Sequence, residues 1–178
     1  MPITRGRTIL ALATAGLLAL GASSALAASG DVTATFTAGG LNGTAGEVSA
    51  TGIALTGAEQ DVALTSTPWS ATDGRGVVTG WSASVAASAL TNGASTIANS
   101  AISISTPDPT PGPSADATPF TGVQSILAAL TGSVSLFTAA GPNGGTYTFT
   151  PLFSLHVPAN ARAGSYAGTL TYTLTPTA

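Results

Sequence analysis

The sequence predicts an all-β protein: an antiparallel β-sandwich or barrel-like Greek-key domain with at most one short helix, preceded by a secretory signal peptide. Three observations lead there. Apolar residues and threonines alternate with period two in several stretches, most plainly in "YAGTLTYTL" near the C-terminus. Turn formers separate these stretches, with 22 Gly, 11 Pro and Asn-Gly pairs at 42–43 and 92–93. Charged residues make up only 6% of the chain and hydrophobic ones 44%. Solubility therefore rests on hydroxyls, which suits strands that bury one face and turn threonine outward.

The first 27 residues have the order of parts of an export signal. Arg5 and Arg7 precede an uncharged, mostly apolar run over 9–20, and small residues end in Ala25-Leu26-Ala27. Cleavage after Ala27 leaves a single domain at 28–178. The apolar run is shorter than the roughly 20 residues a spanning helix needs, so no membrane span is expected in the mature chain.

Along that domain, Val32, Ala34, Phe36 and Ala38 alternate with threonines and predict a first strand, and "GGLNGTAG" predicts a turn at Asn42-Gly43. Residues 48–55 and 62–66 predict two further short strands. After the loop "ATDGRG", Val77, Thr79, Trp81, Ala83 and Val85 share one face of a strand. Asn92-Gly93 marks a turn, and Ile102 and Ile104 a strand ending at Thr106. Residues 107–119 hold five prolines and predict an exposed loop within the domain, because proline donates nothing to a ladder. Over 123–140, Ile126, Leu127 and Leu130 fit a helical stripe, which is where one short helix is expected. Tyr147, Phe149, Pro151, Phe153, Leu155 and Val157 then alternate again. In the last strand Tyr166, Gly168, Leu170, Tyr172 and Leu174 face the core, with Ala167, Thr169, Thr171 and Thr173 outward.

Charge narrows the function. Past the signal, Arg75 and Arg162 stand against seven acids, a net charge of −5. Such a surface repels nucleic acid and polyanionic wall polymers, so no nucleic-acid partner is expected. There is no Cys, hence no disulfide and no lipid-modified cysteine, and the fold must rest on packing.

The inventory for catalysis is thin: one His, no Cys, no Lys and no Gly-x-Ser-x-Gly elbow. His156 reads as a solvated strand histidine, and no catalytic residue is assigned. Zinc spacings and calcium loops are missing from the sequence, so neither metal nor cofactor is expected. Asp108 and Asp116 read as two solvated acids, with a shared calcium ion as the alternative. Asp73 and Arg75 read as a turn, the carboxylate accepting backbone N–H groups and the guanidinium pairing locally, with ligand binding as the alternative. Trp81 shares its face with Val77, Ala83 and Val85 and reads as a core peg, the alternative being a ring stacked on a sugar. Trp69, among polar neighbours in "TSTPWSATDG", is the better candidate for an exposed ring. The candidate binding set is therefore Trp69, Asp73, Arg75 and Trp81.

"TDGRGVVTGWSASV", followed downstream by "FSLHVPANARAGSYAGTLTYTL", resembles the WxL domain of Gram-positive surface proteins. Gly80 and Trp81 fall on that family's first motif, Pro158, Gly164 and Tyr166 on its closing stretch, and Tyr172 and Leu174 on its last strand. Two positions depart: Ala83 stands where the family has Leu, and Tyr172 where it has Trp. The departures bear on wall affinity more than on fold. The resemblance implies a secreted, non-enzymatic protein held non-covalently at the cell wall through peptidoglycan. The alternative is a structural or adhesive subunit that assembles with other surface proteins. No Leu-Pro-x-Thr-Gly sorting sequence ends the chain, so attachment is expected through contacts alone.

Overall fold

A computed structural model describes residues 34–93, 95–117 and 120–178. The predicted signal peptide, the Arg5 and Arg7 start and Val32 lie outside the described residues. Fifteen strands follow in chain order. They are β1 (Leu41–Thr44), β2 (Val48–Ser49), β3 (Gln60–Ser66), β4 (Trp69–Asp73) and β5 (Trp81–Ala87). Next come β6 (Leu90–Asn92), β7 (Ser95–Ile97), β8 (Ile102–Ser105), β9 (Thr110–Pro111) and β10 (Phe120–Thr121). Last are β11 (Ala128–Ala129), β12 (Val134–Ala139), β13 (Gly145–Phe149), β14 (Leu152–Val157) and β15 (Leu170–Pro176). Among the described residues there is no α-helix, only a 3₁₀ turn at Asn99–Ala101.

The strands make three sheets and a hairpin. The first sheet runs β1-β4-β13-β9, the second β10-β12-β5-β15, the third β11-β8-β14-β3-β2, and β6 pairs with β7. Every pairing is antiparallel. The protein is thus all-β with the layered, sandwich-like architecture the alternation predicts. Strands far apart in sequence lie side by side: β15 pairs with β5, setting Tyr172 opposite Val85 and Leu174 opposite Ala83.

The core is a chain of rings. Trp81 in the second sheet meets Phe120, Phe137 and Tyr147 with centroids 5.9, 5.8 and 5.9 Å away. Phe137 meets Phe149 edge-on at 5.0 Å. Phe149 lies 6.1 Å from Trp69, which also touches Phe153 of the third sheet at 5.9 Å and Tyr172 of the second at 5.1 Å. Eight of the ten aromatic rings in the chain therefore form one network that ties the three sheets together. Edge-on pairs at these separations contribute about 0.5–1.5 kcal/mol each beyond the area they bury. A core with small alanines at Ala71, Ala83 and Ala139 needs these rings to fill its volume.

Several local expectations are corrected. Residues 34–40 form no strand, and Phe36 is 92% exposed. Asn42-Gly43 is no turn: it lies inside β1, in register with Thr72 and Ala71. Gly43 is there for space, since a Cβ would stand 2.7 Å from Cε1 of Tyr172. Of residues 48–55 only Val48–Ser49 pair. The strand expected from Val77 starts at Trp81, and Val77 and Val78 are exposed. The alternation from Tyr147 to Val157 is split between β13 and β14 by buried Pro151. The last strand starts at Leu170; before it Ala167 makes only an isolated bridge to Thr91. Thr110–Pro111, inside the proline-rich segment, pairs with β13 at the end of the first sheet, a position proline tolerates.

The helix expected within 123–140 is replaced by β11 and β12. Leu130 is fully buried while Ile126 is 76% exposed, so the supposed stripe is no single face. Thr131, Gly132, Ser133 and Val134 favour helix weakly, and pairing of β12 with β5 wins. A bulge between Ser135 and Phe137 lets the successive residues Leu136 and Phe137 both reach the core. The Asn92-Gly93 turn, by contrast, joins β6 to β7 as expected, with Gly93 at φ 57.

Candidate functional site

Of the four residues singled out for binding in the sequence, Trp69, Asp73 and Trp81 are buried and Arg75 is half-buried beside Asp73. Trp81 is completely buried and Trp69 is 1% exposed. Both indoles are core members, and the expectation of an exposed Trp69 is corrected: β4 is central in its sheet, between β1 and β13, so its alternate residues Trp69, Ala71 and Asp73 all point inward. The polar neighbours that suggested exposure, Ser70 and Thr72, occupy the opposite face.

Asp73 ends β4 on that buried face and is closed by Arg75. Asp73 Oδ1 accepts the Arg75 backbone N–H at 3.0 Å and Nε–H at 2.9 Å, and Oδ2 accepts from Nη2 at 2.7 Å. Nη2 also donates to the carbonyls of Thr79 and Gly80 at 3.3 and 3.0 Å. This is the local turn predicted for "DGRG", extended into a clasp over residues 73–80. The Arg75 side-chain hydrogen bonds hold the Asp73 carboxyl below its usual range, against the opposing pull of burial, and the same bonds raise the Arg75 guanidinium. Such a saturated pair leaves little capacity for a ligand. Gly80 follows the clasp, and a Cβ there would overlap the Ala139 carbonyl oxygen. The clasp thus delivers Trp81 into the core at a point where only glycine lets β5 approach β12.

The closing-stretch residues lie elsewhere. Tyr172 and Leu174 pack on the inner side of β15, and burial pushes the Tyr172 phenol well above its usual range. Burial and then the nearby Asp116 and Asp73 charges also raise Tyr147. Tyr147 donates to the carbonyls of Asp116 and Gly144 at 3.0 and 3.1 Å. Asp116 Oδ2 accepts the Gly144 N–H at 2.8 Å, so this acid ties down a loop. Among the described residues no three His, Cys, Asp or Glu side chains gather where they could hold a metal. His156 is exposed on β14, its Nδ1 2.9 Å from Asp61 Oδ1 on β3 and its Nε2 3.8 Å from Glu59 Oε2.

Gly164 and Tyr166 instead line a cleft of about 500 Å³, within the usual range for small-ligand sites. Its walls are aliphatic: Val48, Ile53 and Leu55 on one side, Leu64, Leu155 and Val157 from β3 and β14, and Leu90 and Ile97 from the hairpin. Arg162, Ser165 and Tyr166 supply polar groups. Tyr166 Oη accepts the Arg162 backbone N–H at 3.3 Å, and Asn92 Nδ2 reaches the Ala163 carbonyl at 3.4 Å, which fixes the 158–166 segment on the hairpin. Pro158, Arg162 and Tyr166 also line a smaller hollow of about 170 Å³ next to it.

Arg162 was missed as a candidate site residue. The one sequence signal for it is that it and Arg75 are the only cations past the signal. Arg75 is consumed by Asp73, whereas the Arg162 guanidinium makes no ion pair or hydrogen bond among the described residues. The aliphatic walls gave no signal at all, because their residues come from five separate stretches. No helix among the described residues is long and apolar enough to cross a membrane. Comparison of the chain with models of known protein families, with curated proteins and with solved structures finds no match.

Proposed function

We propose that this chain is an exported, non-enzymatic surface module of the WxL kind that associates non-covalently with bacterial cell-wall peptidoglycan. The observation that carries the reading is the division of labour between the two stretches that resemble that family. The first, around Asp73, Arg75, Gly80 and Trp81, is a buried clasp and peg. The second, around Pro158, Gly164 and Tyr166, borders a ligand-sized cleft with aliphatic walls and the smaller hollow beside it. The negative surface favours contacts to glycan or peptide over attraction to polyanions.

Sedimentation of the mature protein with purified, teichoic-acid-stripped peptidoglycan tests the reading. It predicts co-sedimentation well above that of an acidic control protein of equal size, and sedimentation equal to the control removes it. A second reading, a subunit that assembles with other surface proteins, draws on β15: seven residues long, it ends its sheet, and such an edge can template strand addition. Light scattering coupled to size exclusion separates the two, because only assembly shifts the mass in the absence of wall.

A further inference from the structure

We infer that the cleft takes the peptide stem of peptidoglycan, with the stem's terminal carboxylate on Arg162, and that the glycan strand is not what this site reads. The inference rests on the wall-association reading and names the part of the polymer recognised.

Recognition of a sugar by stacking needs an exposed ring face. Both tryptophans are buried, as are Tyr147, Phe137, Phe149 and Phe153. None of these rings can lie on a saccharide without unfolding the core, and Tyr166, which lines the cleft, is half-buried with its Oη already accepting the Arg162 backbone N–H. The cleft itself offers other chemistry. Its Leu64, Leu155 and Val157 suit methyl-bearing side chains such as the alanines of a stem, while its polar side chains, Ser49, Arg162, Ser165 and Tyr166, are few.

Two further features favour a peptide ending in a carboxylate. Arg162 is the cation left unpaired in a strongly acidic chain, and it stands at this cleft. A guanidinium pairs with a carboxylate through two parallel hydrogen bonds, a match no neutral sugar offers. The cleft also runs beside β2, the last strand of its sheet, which pairs only with β3. One side of the Val48–Ser49 backbone is therefore left for an extended peptide to pair with.

The test compares intact, teichoic-acid-stripped peptidoglycan with glycan strands freed of their stems by an amidase, both immobilised on beads, by pull-down of the mature protein. Calorimetry with a synthetic pentapeptide stem, as free acid and as C-terminal amide, completes it. Binding is expected to the intact polymer and at least about tenfold less to the glycan-only polymer. The free acid is expected to bind about three- to tenfold more tightly than the amide, the range for a partly solvated charged pair. Arg162→Glu and Leu55→Glu, both at exposed positions, are each expected to weaken binding to intact polymer about tenfold with unchanged thermal unfolding. Equal binding to intact and glycan-only polymer overturns the inference and leaves wall association standing. So does wild-type binding by Arg162→Glu. Binding to neither polymer overturns the wall reading together with it.

Discussion

Trp81→Ala removes the ring at the centre of the network that joins the first and second sheets. A buried tryptophan takes about 150–250 Å² out of water, and its truncation in a core costs about 3–5 kcal/mol. Trp81 has no exposed surface and three ring neighbours, Phe120, Phe137 and Tyr147, so the full range applies. One term opposes it. The Trp81 Nε1–H is buried with no hydrogen-bond partner among the described residues, a desolvation cost of about 1–3 kcal/mol that the alanine relieves. The net expectation centres on about 2 kcal/mol, a sizeable share of the roughly 5–15 kcal/mol by which such domains are stable. At about 2–4 °C per kcal/mol for a domain of this size, the melting temperature should fall by about 4–8 °C. Trp81→Phe keeps most of the apolar surface and loses the orphaned donor, so it should cost under about 1.5 kcal/mol. Thermal unfolding followed by circular dichroism, with urea midpoints as a second measure, compares the three proteins. An alanine variant that melts within 2 °C of wild type, a bound drawn from the same scaling, refutes the peg. A phenylalanine variant as unstable as the alanine one refutes the claim that the indole N–H is without a partner.

Further expectations concern the clasp, a close approach, the replaced helix and the buried phenols. The folded Asp73 carboxyl titrates below its unfolded value of about 3.9, so its contribution is present above that pH and is lost as pH falls through the folded value. Asp73→Asn should cost about 2–4 kcal/mol at pH 7, because it strands the Arg75 guanidinium. It should also flatten the loss of urea stability as pH falls below about 4; an unchanged acid slope would assign that slope to other carboxyls. Gly80→Ala forces a methyl onto the Ala139 carbonyl and should destabilise by about 2 kcal/mol or more, whereas an unchanged melting temperature would mean that β5 and β12 can separate there freely. Leu130→Ala should cost about 2–5 kcal/mol and Ile126→Ser under about 0.5 kcal/mol; equal costs would restore the helical stripe. The raised Tyr147 and Tyr172 phenols stabilise the fold below about pH 10, and stability should fall as pH rises beyond it. Phenolate absorbance that appears at ordinary pH in the folded protein would contradict their burial.

Much of the architecture was legible because it is written in local alternation. Period-two stretches at Trp81–Ala87, Gly145–Phe149, Leu152–Val157 and Leu170–Pro176 became strands with the expected faces inward. The "DGRG" turn was legible too, since Asp73 and Arg75 are two residues apart and satisfy one another without help from the rest of the chain. Misreadings fall where the deciding partner is remote. Asn42-Gly43 has the chemistry of a turn, yet Gly43 is a strand residue because Tyr172, more than a hundred positions away, needs its space. Trp69 has polar neighbours in sequence, but β1 and β13 flank its strand and close over the ring.

The residues alone were enough to establish an antiparallel, disulfide-free β-structure with an acidic surface, a local clasp and aromatic anchors, because composition, period and short-range pairing act over a few neighbouring positions. The burial of both indoles, the bulge that turns Leu136 and Phe137 inward together, and the aliphatic cleft with its unpaired Arg162 emerged from the fold. Each depends on which distant strands come to lie beside one another. That choice belongs to the packing of whole sheets, where one central strand or one close approach outweighs the preferences of the residues next door.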